Sequence, residues 1–544
     1  MQPHFLSTLS EVTLVYGQNQ RKSFPGDNLI RHQDIQVELT EQDGALEIAV
    51  SADGTPLRFL ALRWQCELPM GACFLGDAWE RSYGELQWRT MAPARLMPWY
   101  FLLQSDDTLV GYGVMVRPAA FAQWRVEPTG VTLLLDLRNG RDGVRLGGRR
   151  LAVATVVTQG YSLEKCSVFT AAQDFCHRMC LDPLLPEGPV VGANNWYYAY
   201  GNITHDSVLG DSRYLMKMTE GLSAQPYMVI DDGWQAQHWQ DGDYNGGPWD
   251  SGNQHFPDLP GLAAKMSALG VRPGIWFRPL LTNSPAIPQE WHLPIRDPDS
   301  QTCGYRSTLD PSRPEVLEWI KEDVRRLVNW GFQLIKHDFT TFDLFGRWGF
   351  QMNTWPLDNQ HSGFADQNRT AAEIVMGLYH AIREAAGNAL ILGCNTFGHL
   401  AAGLTHISRT GDDTSGYSFD RTCRMGVNTL AFRLCQHQAF FAVDADCVGV
   451  VGNDHAIPWE ANRQWTQLLA ASGTAFFTAV RPESLTPTQL DEMRQLYRLA
   501  ASNSTSVEPI DWLSNNLPAH WRLNGKEVSF DWHQESLSQS DLFA

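Results

Sequence analysis

Aspartates recur in this sequence where short apolar runs stop. Asp231-Asp232-Gly233-Trp234 follows one run, Lys336-His337-Asp338 closes another, and Cys394-Asn395 ends a third. Arg409-Thr-Gly-Asp412-Asp413 and Asp444-Ala-Asp446 follow two more. Lys336 and Asp338 are spaced i, i+2, so on a strand both side chains leave the same face. A lysine beside a carboxylate keeps it ionised, as a nucleophile requires. Asp412 and Asp413 offer a second carboxyl, and two carboxyls about 5–5.5 Å apart support retaining glycoside hydrolysis, one as nucleophile and one as acid/base. Blander readings compete. Lys336 and Asp338 could form a salt bridge that closes the strand, and one of the Asp412-Asp413 pair could serve an Asx turn. His337 should face away from Asp338 and is read as a satisfied packing histidine.

These residues need a scaffold that brings successive strand ends to one rim. The apolar runs fall at 190–196, 227–230, 273–277, 334–338, 389–393, 405–409, 440–444 and 474–478. Helix-like segments at 259–269, 314–330, 371–386 and 462–471 lie between them, with Pro314 placed for a first helical position. Eight strands alternating with helices predict a (β/α)8 TIM barrel, whose catalytic residues stand at the C-terminal strand ends. A doubly wound sheet is the alternative, but no Gly-rich nucleotide turn follows any strand. The preceding 165 residues read as an antiparallel β-sandwich. Segments 36–40 and 46–50 alternate around Asp43-Gly44, and 131–137 runs into Asn139-Gly140 before 151–157, the pattern of hairpins. A helix at 167–179 and the Pro-rich stretch 181–189 form a helical linker, 166–189. The fold class is therefore multidomain α/β: sandwich 1–165, barrel 190–502, and a short C-terminal β segment, 503–544, with a hairpin at Asn524-Gly525.

Composition narrows the ligand. The 544 residues carry 42 Lys+Arg against 60 Asp+Glu, a net charge of −18, which argues against nucleic acid and anionic membrane surfaces as partners. Twenty tryptophans outnumber fifteen tyrosines, and tryptophan faces with carboxylates suit a neutral, hydroxyl-rich ligand. The ten cysteines show no CxxC pair, the first residues lack a basic and apolar leader, and no apolar run reaches spanning length. Reduced thiols and a cytoplasmic location are expected. Rim aspartates could instead bind Mg²⁺ or Mn²⁺, but Lys336 inside the cluster and the lack of HxH or HxxE at a strand end count against a metal. A sugar-binding protein without catalysis would need to lack a catalytic carboxyl, and both candidates are present.

Six motifs in order carry a resemblance: Asn194-Asn-Trp-Tyr-Tyr-Ala-Tyr, Ile230-Asp-Asp-Gly-Trp, Phe256-Pro-Asp-Leu-Pro-Gly-Leu, Gly274-Ile-Trp-Phe-Arg-Pro, Leu309-Asp-Pro-Ser-Arg-Pro-Glu-Val and Lys336-His-Asp. Over roughly 190–450 the chain resembles glycoside hydrolase family 36, the α-galactosidases of the melibiase and raffinose-synthase clan, as a divergent member. The resemblance implies a retaining, exo-acting α-glycosidase, α-galactosidase-like, working through a glycosyl-aspartate without cofactor or metal. Transglycosylation of the raffinose-synthase type, or a different sugar, is the alternative. Asp338 would be the nucleophile and Asp412 the acid/base, with Asp413 the other candidate. Asp231 and Asp232 would accept bonds from sugar hydroxyls, Lys336 would donate, and Arg409 would reach the 2-hydroxyl. Trp196, Trp234 and Trp276 are candidate stacking platforms, and Cys394 and Asn395 candidate binding residues. Segments 343–366, with Trp348 and Trp355, and 282–313 would wall an aglycone subsite around a small oligosaccharide or glycoside. Relatives often assemble, so a homo-oligomer is compatible with the resemblance. The chain departs from the family at Phe339-Thr340-Thr341 and Gly393-Cys-Asn-Thr-Phe-Gly, which leaves the sugar and linkage open.

Overall fold

The computed structural model describes residues 9–238, 244–293, 308–352, 355–357, 363–502 and 506–533. Eight parallel strands close into a barrel: β1 (Val191–Asn194), β2 (Tyr227–Ile230), β3 (Arg272–Phe277), β4 (Leu334–His337), β5 (Leu390–Gly393), β6 (Ile407–Arg409), β7 (Ala442–Val450) and β8 (Ala475–Val480). Each strand falls within or overlaps an expected run. Alternation along β4 explains the layering. Leu334 packs inside the barrel with Val229, Leu392, Ile407 and Phe477. Ile335 joins the outer layer between strands and helices. The apolar plug fills the lower barrel, so a side chain two residues further along the same face, Lys336, stands above it.

The helices obey their local signals. Ala371–Ala386 begins at a Thr370/Glu373 capping box, Pro314–Asn329 has proline in its first turn, and Asp258 caps Leu259–Ala268. Two further helices, His205–Met218 and Pro487–Ala500, were not anticipated. Their capping boxes at Thr204/Ser207 and Thr486/Gln489 were the available signals. Between β6 and β7 two short α-helical pieces are joined by an irregular turn. Phe419–Thr422 leads into a π-helical stretch, Cys423–Asn428, and then Thr429–Arg433. Among the described residues no helix is long and apolar enough to cross a membrane.

Two antiparallel sheets, of six and eight strands, precede the barrel and enclose their own core of residues such as Val12, Val37, Leu60, Trp64 and Trp124. Ile35–Gln42 and Ala45–Ala52 pair around Asp43 (φ 50°) and Gly44 (φ 79°), the two left-handed residues that a tight hairpin demands. The second expected hairpin is corrected. Gly130–Asp136 lies in the six-stranded sheet and Leu151–Ser162 in the eight-stranded one, so Asn139-Gly140 does not join partners. Asn139 instead fastens the sandwich to the barrel. Its amide donates to the carbonyls of Asp366 and Arg369, both at 2.8 Å, and its oxygen accepts from the Phe364 N–H at 2.8 Å. Helix Val168–Met179, capped by Ser167, buries Cys176, with Cys180 buried just beyond its end. At the C-terminus His520–Leu523 and Lys526–Ser529 pair around Asn524-Gly525, and Trp512, Trp521 and Trp532 join the barrel's outer core. Nine cysteines are free thiols, while Cys303 and part of segment 282–313 lie outside the described residues.

One buried acid on the helix after β1 makes a pH prediction. Burial pushes the Asp211 carboxyl up to about 7, against hydrogen bonding from Tyr198 that lowers it. A raised folded value means that the folded state holds the proton more tightly. The stability from this group is therefore complete at low pH and is lost as pH rises from the ordinary carboxylate range through 7. Asp211→Asn keeps the shape and abolishes the ionisation. Its melting temperature is expected to exceed the parent's by roughly a few degrees at about pH 8 and to match it at about pH 4. Equal shifts at both pH values would show that ionisation is not the cause.

Candidate active site

A cavity of about 360 Å³ opens at the C-terminal ends of the barrel strands. That is at the small end of the range for ligand sites. Six of the seven aspartates line it: Asp231, Asp232, Asp338, Asp412, Asp413 and Asp446. Asp444 does not. It is buried beneath the rim, where burial pushes it up to about 6 and its oxygen accepts from the Asp446 N–H at 2.9 Å. Strand β7 also runs past the expected end. A bulge between Asp444 and Cys447, with Asp446 at φ 71°, turns the Asp446 side chain into the cavity. Tyr197 donates to Asp446, as do the Thr414 N–H at 2.8 Å and hydroxyl at 2.9 Å.

Asp338 stands one residue beyond β4. Its Oδ1 accepts from the Phe339 N–H at 2.7 Å, and its Oδ2 from the Trp276 indole at 3.3 Å. Phe339 sits at φ 61°, a left-handed conformation that a bulky residue adopts only when its surroundings impose it. The Arg278 guanidinium covers the Phe339 ring at 4.1 Å and helps fix that turn. The departure from the family pattern at 339–341 thus forms a turn that fixes the aspartate. A short helix, Thr340–Phe345, follows, and two N–H groups of its first turn donate to Asn395 Oδ1, at 3.1 Å from Thr341 and 3.2 Å from Phe342. Asn395 is fully buried and caps that helix; it does not line the cavity.

Lys336 lines the cavity, but its ion pair differs from the expected one. Its Nζ lies 2.6 Å from Asp231, one residue beyond β2, and it makes no ion pair with Asp338, whose charge nevertheless acts on it. Asn194 donates to the same Asp231 oxygen at 2.5 Å. Burial alone would lower the lysine, but Asp231 outweighs it and holds Lys336 well above its ordinary value. Asp232 accepts from Gln235 at 2.7 Å and lies 3.3 Å from His238. His337 faces outward as expected, yet it is not satisfied. Neither ring nitrogen has a hydrogen-bond partner among the described residues, and burial lowers it to about 4, so it stays neutral.

The two acid/base candidates have different surroundings. Asp412 is held by two guanidiniums, Arg81 at 2.9 Å and Arg421 at 2.8 Å. Asp413 lies 3.2 Å from Arg409 and 3.8 Å from Arg81. Burial pushes Asp413 up, but Arg409, Arg81 and Lys336 together outweigh it and hold it below the ordinary carboxylate range.

Residues 186–389 match the family model described as Melibiase. Over those residues the chain is similar to melibiases, at low identity. The α-galactosidase AgaA of Geobacillus stearothermophilus is 23% identical over 203 residues, 36% of this chain and 26% of that protein, so the match spans about a quarter of the relative's length. Among solved structures, an α-galactosidase from Thermus thermophilus, in complex with p-nitrophenyl α-D-galactopyranoside, shares the fold at TM-score 0.60 and 20% identity. The alignment covers 96% of this chain and 99% of that one. The α-galactosidase from Lactobacillus brevis aligns at TM-score 0.58 and 14% identity, covering 90% of this chain and 72% of that one. The melibiase match ends before β6, so Asp412 and Asp413 lie beyond it.

Several expected binding residues do not line the cavity. Arg409 has a side chain only 2% exposed; it pairs with Asp413 and Asp446 and does not line the cavity itself. Cys394 is buried beneath Arg409, 3.4 Å from its guanidinium. Trp234 is wholly buried and donates to the Trp276 carbonyl at 2.8 Å, and Trp355 packs on Phe59 and Trp79. Trp196, Trp276 and Trp348 do line the cavity. What the sequence did not disclose is the contribution of the sandwich segment. Arg81 and Tyr83 enter the wall because Ser82 pairs with the loop after β6: its N–H donates to Thr410 at 2.8 Å, and its carbonyl accepts from Asp412 at 3.0 Å. Arg433 secures this junction through Asp77 at 2.7 Å and the Thr410 carbonyl at 2.8 Å. Charged residues Glu80-Arg81 beside Trp79 in an apolar region were the one available signal. Among the described residues no three His, Cys, Asp or Glu side chains converge as metal ligands.

Proposed function

We propose that this chain is a retaining, exo-acting α-galactosidase that removes a terminal α-linked galactose through a glycosyl-aspartate intermediate. The observation that carries this reading is that Asp338, after β4, and Asp412, after β6, face one small cavity whose remaining polar groups are suited to hydroxyls. Asp338 Oδ attacks the anomeric carbon as the glycosidic C–O bond breaks, and Asp412 gives its proton to the departing oxygen. Asp412 then takes a proton from water, which attacks the same carbon and releases the sugar with its configuration retained. Asp413 is the other candidate for the acid role; Arg409, Arg81 and Lys336 hold its carboxyl below the ordinary carboxylate range, whereas proton delivery near neutral pH is served by a raised one. Asp231 and Asp232 accept from sugar hydroxyls, Lys336 donates, and the Trp276 and Trp196 rings bound the sugar's faces.

The test is a panel of 4-nitrophenyl α-glycosides: galactoside, glucoside, N-acetylgalactosaminide, xyloside and fucoside. Galactoside is expected to lead in kcat/KM, by about 100-fold or more over glucoside, because a site built to bond one hydroxyl geometry leaves its polar groups unpaired with the epimer. NMR of the first-formed sugar should show the α anomer. A glucoside preference would overturn the sugar assignment, and a β product would overturn retention. With raffinose alone at high concentration, longer oligosaccharides among the products would mark transglycosylation.

A further inference from the structure

Two chemically different halves make up the cavity wall. On one side Asp231, Asp232, Asn194, Lys336 and Asp446 present polar groups around Asp338. On the other, next to Asp412, the wall is aromatic. The Tyr83 and Phe350 rings meet edge to face at 4.8 Å, and Trp348 stacks on Phe342 at 4.5 Å with 26° between planes. Arg81 bridges the acid and these rings: it pairs with Asp412 at 2.9 Å and lies over Trp348 at 5.1 Å and Tyr83 at 5.9 Å. Nucleophile and acid flank the anomeric carbon from opposite sides, so a wall continuous with the acid faces the leaving group. Phe350 is 56% exposed, a large apolar ring left open at the mouth.

This wall is rigidly held and its polar groups are engaged. Glu80, 1% exposed, accepts from the Tyr83 hydroxyl at 2.5 Å and from the Gly349 N–H at 2.6 Å, next to Phe350. One carboxylate thus ties both aromatic partners together. Thr341, donating at 2.5 Å, and Asn395 anchor that carboxylate to the barrel. Glycine is required at 349 because a Cβ there would lie 2.5 Å from Glu80 Cγ. The Tyr83 hydroxyl is bound to Glu80, and the Arg81 and Arg421 guanidiniums to Asp412. A second sugar would have to compete for these groups, whereas a flat apolar ring needs none of them.

We infer that Arg81, Tyr83, Trp348 and Phe350 form a leaving-group subsite for a flat, apolar aglycone, so that α-glycosides of aromatic alcohols are better substrates than those carrying a second sugar. The inference rests on the α-galactosidase reading and goes beyond it by naming the class of leaving group. Phe350 touches neither catalytic carboxylate in the hydrogen-bond network, so its removal reads the subsite alone.

The experiment compares the parent enzyme with Phe350→Ala and Phe350→Tyr on three substrates: 4-nitrophenyl α-galactoside, raffinose and α-galactosyl fluoride, whose leaving group carries no ring. Phe350→Ala is expected to lower kcat/KM for the aryl substrate about five- to tenfold, while raffinose and the fluoride change by less than about twofold. Phe350→Tyr should restore the aryl value. An equal or larger loss on raffinose would overturn the inference in favour of a sugar-binding wall, and no loss on any substrate would overturn it outright. Failure of the underlying reading looks different: the parent enzyme would neither turn over the fluoride nor bind 1-deoxygalactonojirimycin, and both claims would fall together.

Discussion

Asp338→Asn is expected to lower turnover of an aryl α-galactoside by about 10⁴-fold or more, the scale of losing a nucleophile. The amide keeps the size of the carboxylate, and its oxygen can still accept from the Phe339 N–H, which now lies 2.7 Å from Asp338 Oδ1. The loss therefore reports chemistry and not collapse of the left-handed turn at Phe339. An unchanged melting profile checks that point. A fluorinated α-galactosyl trap should attach one sugar per chain, and peptide mapping should place it on the segment holding Asp338. Attachment elsewhere, or an asparagine variant that still hydrolyses the aryl substrate at the parent rate, would remove Asp338 from the nucleophile's role.

The second large effect depends on the leaving group. Asp412→Ala should cost about 10²–10⁴-fold on raffinose, whose departing sugar needs a proton, and far less on 4-nitrophenyl galactoside, whose phenolate leaves unaided. Azide, small enough for the vacated space, should restore turnover of the aryl substrate and yield a galactosyl azide of retained configuration. Asp413→Asn should reduce both substrates alike, as a binding or orienting group would. The reverse pattern between the two variants would exchange their roles. Asp412 leans on Arg81 and Arg421, so the alanine variant also frees two guanidiniums at the cavity wall. Asp412→Asn, which retains bonding capacity, separates that electrostatic change from loss of the proton.

Much of the scaffold was readable because its signals are local. Eight apolar runs, Thr370 three residues before Glu373, and Pro314 at a helix start specify strands and helices through spacing and capping that neighbouring residues decide. The position of Asp338 at the end of β4 follows from the same local logic, as does the inward direction of Lys336 two residues earlier. Where the local signal was ambiguous, the reading failed. Asn139-Gly140 has the chemistry of a hairpin turn, yet the chain there crosses between sheets, because the partners of 130–136 and 151–162 are set by distant strands.

Depth and partnership are not local properties. Alternation states which face a side chain leaves, but not how far along the barrel axis the plug of Leu334, Leu392 and Phe477 rises, and that height decides what becomes wall and what becomes floor. Arg409 and Cys394 ended below the rim for this reason, while Trp196 and Trp276 line the opening. Lys336 took Asp231 as its partner because barrel closure brings β2 and β4 onto one interior, where a buried ammonium needs a buried carboxylate. By itself the sequence determined the barrel, the aspartates at its strand ends and the identity of the nucleophile candidate. Only the tertiary structure decided that Arg81 and Tyr83, from a sandwich segment whose Trp79 and Leu86 pack into the barrel's core, complete the wall beside Asp412. Packing one folded unit against another juxtaposes residues that no periodicity along the chain relates.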